Sequence, residues 1–479
     1  MSQPASTPPS GAAPKARGNV LSLSLTRGFL VGAGIAIQVA AARLLGPSLF
    51  GVYGFIQSVV ALFSFGATLG LNMLLIREIA REPASAARRT SEALPVVAAL
   101  SAVTMAVVCG YVQLRDGRPD VVLVTALAAL TLAFTSVSQI VQASFHGLRR
   151  MDLEVTGIVV GRAIAVFASI AMLLAGMGLP GLMLGQLLGA TATLGIELAT
   201  FRAHVGQLRP VLVLAEAKRL LTAGLPFGLN LLFAAIYLQL DILLLKEFRD
   251  DDALGLYRAA AILVLNLPIL AQVLSAGTFP TMSRHHDAPE RAGAALTFLS
   301  RVLLLISVPI AAGGLCVSER LIVVVAGDAY RSAGLLLAIM LPLIPLRFVN
   351  NAFGMTLTAT DRQGLRTQSV VIAALFNGLS NLYAIPRWGA EGAATTTLIT
   401  EVLLTALFYA HLGPVRQRLH LTGSFVRTAL PASVMALVVL ALGPMPMAAV
   451  LTIAAAIYTV LTWLTGAWSV SDLSRLKAL

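Results

Sequence analysis

Apolar residues come in runs of about twenty, separated by short charged or Gly/Pro-rich turns, along nearly the whole chain. The runs fall at 22–44, 50–75, 93–114, 121–145, 153–176, 180–201, 222–245, 255–280, 293–316, 332–358, 367–385, 390–411, 427–442 and 447–467. As a helix rising 1.5 Å per residue, each run reaches across most or all of a hydrocarbon layer about 30 Å thick. Strands of this length are excluded, because an open sheet in hydrocarbon leaves its edge groups without partners. The pattern predicts an all-α integral membrane protein with about 14 transmembrane helices.

Polar positions inside these runs follow helical spacing. The seventh helix carries Asn230, Ala234, Tyr237 and Asp241 on one face, and the second carries Tyr53, Gln57, Ser64 and Thr68. The first has Arg27 and Gln38 eleven residues apart, and the fourth has Thr131, Thr135, Gln139 and Gln142. Polar residues in hydrocarbon face a cavity or a partner, although hydroxyl and small residues also join helices to one another. Packing and lining therefore both stay open for any single stripe.

Composition agrees with a bilayer protein. Of 479 residues, 57% are apolar and 12% charged, against about 25% charged in a soluble domain. The net charge of +12 suggests a nucleic-acid partner until its distribution is read. With the N-terminus placed inside, 23 of the 34 Lys and Arg residues fall on the inner side, including Arg77, Arg81, Arg88, Arg89, Arg149, Arg150, Lys218 and Arg219. That bias fits the positive-inside rule and an even number of crossings, with both termini cytoplasmic, so no nucleic acid is needed to explain the charge. Cys109 and Cys316 sit apart in apolar runs and read as small buried hydrophobes. Residues 1–20, rich in Pro, Ser, Ala and Gly, read as a disordered cytoplasmic tail rather than a signal peptide.

The two halves resemble each other. Phe50-Gly51-Val52-Tyr53 opens the second helix and Leu254-Gly255-Leu256-Tyr257 the eighth, each with an inner arginine about 30 residues on, Arg81 and Arg284. Six helices separate the copies, which implies a parallel repeat. The expected organisation is an N-lobe of six helices over 21–221, a C-lobe of six over 222–412, and two appended helices with the cytoplasmic C-terminus over 413–479.

The loops are too short for a nucleotide-binding domain, and no phosphate-binding GxxxxGK[ST] loop is present. No cofactor or metal site is expected. The His285-His286-Asp287 sequence is read as a solvated loop end, since neighbouring side chains point apart. Asp250-Asp251-Asp252 reads as a hydrated turn. Among ionisable residues within helices, Arg347 follows Pro342 and Pro345 and is followed by Asn350 and Asn351. A central arginine costs about 2.5–3.5 kcal/mol on insertion scales. It is therefore either a cavity-facing anion ligand or a structural ion pair. Arg43, Arg162 and Arg258 lie where snorkelling toward water is available. Glu197, Asp241 and Glu401 are the intramembrane acids. Asp241 is the foremost candidate for a protonatable gate, or for a pair with Arg258.

Arg43-Leu44-Leu45-Gly46-Pro47-Ser48-Leu49-Phe50-Gly51-Val52-Tyr53, then Gly70-Leu71 and Arg77 and Arg81, resembles the opening of bacterial polysaccharide flippases. These belong to the multidrug/oligosaccharidyl-lipid/polysaccharide exporter superfamily. Asp241-Ile242-Leu243-Leu244, Leu254-Gly255-Leu256-Tyr257, Phe279-Pro280, Gly327-Asp328-Ala329-Tyr330 and Trp388-Gly389-Ala390-Glu391-Gly392-Ala393-Ala394 extend the resemblance over about 20–412. It implies a V-shaped pair of bundles that carries an undecaprenyl-pyrophosphate-linked oligosaccharide between leaflets of the bacterial cytoplasmic membrane by alternating access. Membrane lipids, and a polysaccharide polymerase with its export machinery, are the implied partners.

The resemblance transfers no catalytic signature, so the site residues rest on the polar stripes. Arg27, Gln38, Arg43, Tyr53, Gln57, Asn230, Tyr237, Arg258, Arg347 and Asn351 are the substrate-binding candidates, and Asp241 and Glu401 the coupling or gating candidates. A cation-coupled multidrug exporter of the same superfamily and a membrane polysaccharide polymerase or ligase are the alternatives. Against the exporter, helices one and two hold no acidic residue; against the polymerase, no sizeable outer loop carries catalytic groups.

Overall fold

The computed structural model describes residues 13–284, 288–419, 421–443 and 445–467, so the His285-His286-Asp287 turn lies outside the described residues. The helices are α1 (Ala13–Thr68), α2 (Leu71–Arg81), α3 (Ala86–Arg115), α4 (Pro119–Gly147), α5 (Asp152–Leu174), α6 (Gly178–His204), α7 (Leu214–Phe248) and α8 (Asp251–Leu265). They continue as α9 (Pro268–Arg284), α10 (Pro289–Cys316), α11 (Ser318–Ala326), α12 (Ala333–Met340), α13 (Leu343–Ala359), α14 (Gln363–His411), α15 (Leu421–Ala441) and α16 (Met447–Leu464). No strand occurs among the described residues. α1 begins within the stretch read as a tail, whose residues 1–12 are outside the described residues.

Two helices are too long to be single crossings. At 56 and 49 residues, α1 and α14 would each run more than twice the thickness of the hydrocarbon layer. Each breaks at a glycine with non-helical angles, Gly46 (φ 75, ψ 174) and Gly389 (φ 58, ψ −133). Side chains in the second unit prove that α14 folds back on itself. Asn377 donates to Thr400 and Thr396 to Asn381, and the Ala384 carbonyl lies under Gly392. All three pairs are centred on residue 388 or 389, the signature of an antiparallel hairpin. Among the described residues eleven helices are long and apolar enough to span a membrane, or twelve when the broken α7 counts as one. Dividing α1 and α14 at their glycines gives the fourteen expected. Prolines break two further predicted runs, 255–280 before Pro268 and 332–358 at Pro342, because a proline supplies no amide hydrogen to the preceding turn.

The chain forms two compact units. One holds the chain up to Gln38 with Phe63–Leu231; the other holds Val39–Leu62 with Leu232–Leu479. The stretch Val39–Leu62, around the break at Gly46, thus clusters with the residues from Leu232 onward.

In the first unit α5 and α6 pack along a seam of small residues. Gly157, Gly161, Ala165 and Ser169 recur every fourth residue on α5, and Gly185, Gly189 and Thr193 on α6. A Cβ at Gly189 would stand 2.6 Å from the Gly161 carbonyl, and one at Gly185 would overlap the Ser169 backbone. Such spacing lets backbones approach closely where lipid provides no hydrophobic drive for helix association. On the side read as cytoplasmic, Arg219 of α7 bridges Glu78 (2.7 Å) and Glu216 (2.5 Å), and Arg89 also pairs with Glu78, fixing the start of α7 to α2 and α3.

In the second unit the two aromatic-glycine motifs meet. A Cβ at Gly51 would overlap the Asp251 carbonyl and lie 3.0 Å from the Gly255 nitrogen, and one at Gly255 would overlap the Pro47 backbone. Tyr330, buried, donates to the Ala42 carbonyl at 3.0 Å and stands edge-on to Phe50. The appended α15–α16 hairpin is tied at both ends. Arg320 donates to the Gly443 carbonyl (2.6 Å), Arg301 to the Ala467 carbonyl (2.6 Å), and Tyr458 to the Leu305 carbonyl (3.0 Å).

Gly185→Leu is expected to destabilise the protein by at least the roughly 1–3 kcal/mol typical of overpacking. Gly195→Leu, on the same helix where nothing lies within 4 Å, leaves it unchanged. Thermal unfolding of the two purified variants in detergent measures the contrast.

Candidate functional site

The second unit contains a connected run of buried polar side chains at membrane depth. Asp241 of α7 sits at one end. Its carboxylate accepts hydrogen bonds from Asn381 (2.6 Å), Thr397 (3.1 Å) and Tyr257 (3.3 Å). Asn381 also donates to Asn377 (3.2 Å), and Asn377 donates to Thr400 (3.3 Å). One position beyond Thr400, Glu401 lies with its Oε1 2.8 Å from Arg347 Nε, while Asn350 donates to its Oε2 at 2.8 Å. Helical spacing explains the assembly. Asn377 and Asn381 lie one turn apart in the first half of α14, and Thr396, Thr397, Thr400 and Glu401 form a stripe in the second half. The break at Gly389 folds the stripes together, and Arg249 donates to the Pro386 carbonyl at 3.1 Å beside that break.

Two of the candidates, Arg347 and Asp241, have partners in this network. Arg347 is an ion-pair partner: its side chain is 23% exposed and that of Glu401 7%. The amide that completes the pair is Asn350 rather than Asn351, one residue and about 100° around α13. Asp241 is held by an amide and two hydroxyls instead of Arg258.

Arg258 belongs to a separate cluster against the part of α1 that follows Gly46. Its guanidinium carbon lies 5.1 Å from the Tyr53 ring centroid and 5.8 Å from that of Phe50, within cation–π range. Its Nε is buried with no hydrogen-bond partner among the described residues. Gly54 makes this fit possible, since a Cβ there would stand 2.7 Å from Arg258 Cδ. Gln57 lies one turn along α1 from Tyr53 and is partly buried.

Other candidates fall elsewhere. Arg43 is exposed and donates to the Val324 and Val325 carbonyls (2.8 Å to the latter), capping the C-terminal end of α11 where a cation is favoured. Gln38 contacts the Gly34 carbonyl of its own helix at 3.5 Å. The side chains of Arg27, Asn230 and Tyr237 lie outside the described residues. Among the described residues no group of three or more His, Cys, Asp or Glu could hold a metal ion. Chemically, the ladder offers one carboxylate that can exchange its three hydrogen bonds for a proton or a small cation, and one paired carboxylate beside it.

The site is thus a buried polar network within a multi-span, all-helical membrane protein. The chain belongs to the polysaccharide biosynthesis protein family, whose family model matches residues 40–334. It is 24% identical over 177 residues to the probable low-salt glycan biosynthesis flippase Agl15 of Haloferax volcanii, a stretch covering 36% of this chain and 37% of that protein. Its fold is similar to that of the lipid II flippase MurJ in an inward closed conformation, with a TM-score of 0.74 at 12% identity over 93% of this chain and 98% of that one. A multidrug resistance MATE family transporter in an inward-facing conformation matches with a TM-score of 0.60 at 13% identity, over 81% of this chain and 94% of that one. The known proteins it resembles are flippases and transporters rather than enzymes.

Arg347→Met and Glu401→Leu are each expected to destabilise the protein by about 2 kcal/mol or more, since either leaves a mostly buried charge unpaired. The double variant recovers most of that loss. A double-mutant cycle on thermal unfolding measures the coupling.

Proposed function

We propose that this protein is a flippase for a polyprenyl-pyrophosphate-linked oligosaccharide, moving it from the cytoplasmic to the outer leaflet of the bacterial inner membrane for surface polysaccharide synthesis. The observation that carries the reading is the coincidence, in one chain, of a polysaccharide-biosynthesis family sequence with a fold similar to that of a lipid II flippase. The physical problem fits the protein. A polyprenyl tail is at home in hydrocarbon, but its diphosphate and sugar hydroxyls cannot cross about 30 Å of it without a shielded polar path. Arg258, held against Tyr53 and Phe50 with an unpartnered Nε, has the chemistry to bind phosphate oxygens. The membrane potential assists outward movement of an anion by about 2.3 kcal/mol per charge per 100 mV.

Asp241 is the coupling group in this reading. Taking up a proton or a small cation changes its charge and loosens the hydrogen bonds that join α7, α8 and α14. A change of occupancy at one atom thereby shifts the packing of three helices.

The alternative of a cation-coupled multidrug exporter draws on Glu197, a fully buried acid in the first unit. Arg162, in the adjacent cavity, works against binding of organic cations there.

Deletion of the gene is expected to strand lipid-linked oligosaccharide on the cytoplasmic face of the membrane, detectable as isotope-labelled glycan that an impermeant lectin cannot reach in sealed right-side-out vesicles. Single repeat units accumulating on the outer face would sink the flippase reading in favour of a polymerase. At normal protein levels Asp241→Asn is expected to cut export at least tenfold and to flatten its dependence on external pH or sodium. Arg258→Gln lowers export while leaving that dependence in place.

A further inference from the structure

We propose that the first unit contains a ligand site of its own, a cavity among α1, α4, α5 and α6 that takes one hydroxyl-bearing monoanion, a sugar-acid residue of the carried glycan. This rests on the flippase reading for the source of the ligand, and on the cavity alone for its chemistry.

The cavity has a volume of about 380 Å³. That is at the small end of the range for small-molecule sites, room for one sugar ring with water rather than several rings. Its α4 wall presents Thr131, Thr135, Ser138 and Gln142, at spacings of four, three and four residues along one helical face. Thr131 and Thr135 donate to the carbonyls one turn back, Leu127 and Thr131, both at 2.8 Å, and Thr193 opposite donates to Gly189 at 3.0 Å. With those protons committed, the hydroxyl oxygens keep only acceptor capacity, which suits the O–H groups of a sugar.

Arg162 supplies the opposite chemistry. Sequence reading left it as a residue free to snorkel to water; the structure sends it inward, with its terminal nitrogen 2.8 Å from where a Cβ on Gly34 of α1 would be. Gly34 is the reason the guanidinium fits. Arg162 Nε is buried without a hydrogen-bond partner, and the residue has no ion pair among the described residues. An arginine so placed in a membrane protein calls for an anion, since its charge is otherwise uncompensated.

The anion's charge is limited by the surroundings. One guanidinium faces the space, and Glu197, fully buried, lies behind Gln142, which donates to it at 2.8 Å. A diphosphate carries more negative charge than one guanidinium offsets, and that carboxylate repels it more strongly than it repels a monoanion. A neutral sugar leaves Arg162 unpaired. A carboxylate takes the guanidinium in a two-pronged geometry, and the remaining ring hydroxyls meet the threonine oxygens.

The test uses the full-length protein in lipid nanodiscs, titrated with glucuronate, glucose and inorganic pyrophosphate and followed by calorimetry and thermal shift. Glucuronate is expected to bind at least tenfold more tightly than glucose or pyrophosphate. Arg162→Gln is expected to lose about tenfold or more in glucuronate affinity, the scale of one charged hydrogen bond. Should that variant fail to give a monodisperse folded protein, Thr135→Val, which keeps the shape of the wall, is expected to weaken glucuronate binding about threefold, the smaller share of a neutral hydrogen bond. Absence of glucuronate binding, preference for pyrophosphate, or unchanged affinity in the folded variant overturns the assignment. The labelling experiment on the deletion strain is independent of it. A strain that strands lipid-linked sugar while its purified flippase ignores glucuronate removes this site and keeps the flippase reading; glucuronate binding without stranding does the reverse.

Discussion

A peptide group surrounded by hydrocarbon has no water to bond with, so its hydrogen bonds must close within the protein. Everything in this fold answers to that requirement. The crossings are helical because a helix satisfies from within all but the backbone groups of its first and last turns. The two longest helices break at Gly46 and Gly389, and at the second the chain reverses within a few residues and leaves few groups to satisfy. Where carbonyls are freed at such ends, arginines take them: Arg249 at Pro386, Arg43 at Val324 and Val325, and Arg320 at Gly443. Several charged residues that look functional in a hydrophobic sequence are thus employed in finishing helices.

The same rule makes the remaining buried polar groups informative. Lipid does not press helices together as water does, so association relies on close backbone contact and interhelical hydrogen bonds. The first unit uses contact, through the α5–α6 glycine seam. The second uses both, joining the Gly51 and Gly255 motifs backbone to backbone and linking α7, α8 and α14 through Asp241. Polar groups left over after this work, above all the guanidiniums of Arg258 and Arg162, are the ones with chemistry to spare.

The crossings and the family were legible in the sequence because both depend on local pattern, apolar run length in one case and short glycine-aromatic motifs in the other. The role of the motifs was not. Phe50-Gly51-Val52-Tyr53 and Leu254-Gly255-Leu256-Tyr257 read as echoes of a repeat, and only three dimensions show that the copies touch. Asp241, Arg347 and Glu401 were singled out by charge, which stands out in a membrane helix, but that the last two pair with each other was not read. Asn377, Asn381, Thr396, Thr397 and Thr400 were missed although they obey the same four-residue rule as the stripes that were read. Their significance lies in the hairpin at Gly389, which brings two modest stripes face to face. Arg162 was misjudged because snorkelling and inward pointing differ only by what the neighbouring helix offers, and that is the bare backbone of Gly34.

The α15–α16 hairpin is fastened to α11 at its turn, through Arg320 and the Gly443 carbonyl, and to α10 through Arg301 at the Ala467 carbonyl and Tyr458 at the Leu305 carbonyl. Two guanidiniums of the C-terminal unit thus take their acceptors from the last two helices, so a chain cut short before Leu421 would strip both of those carbonyls.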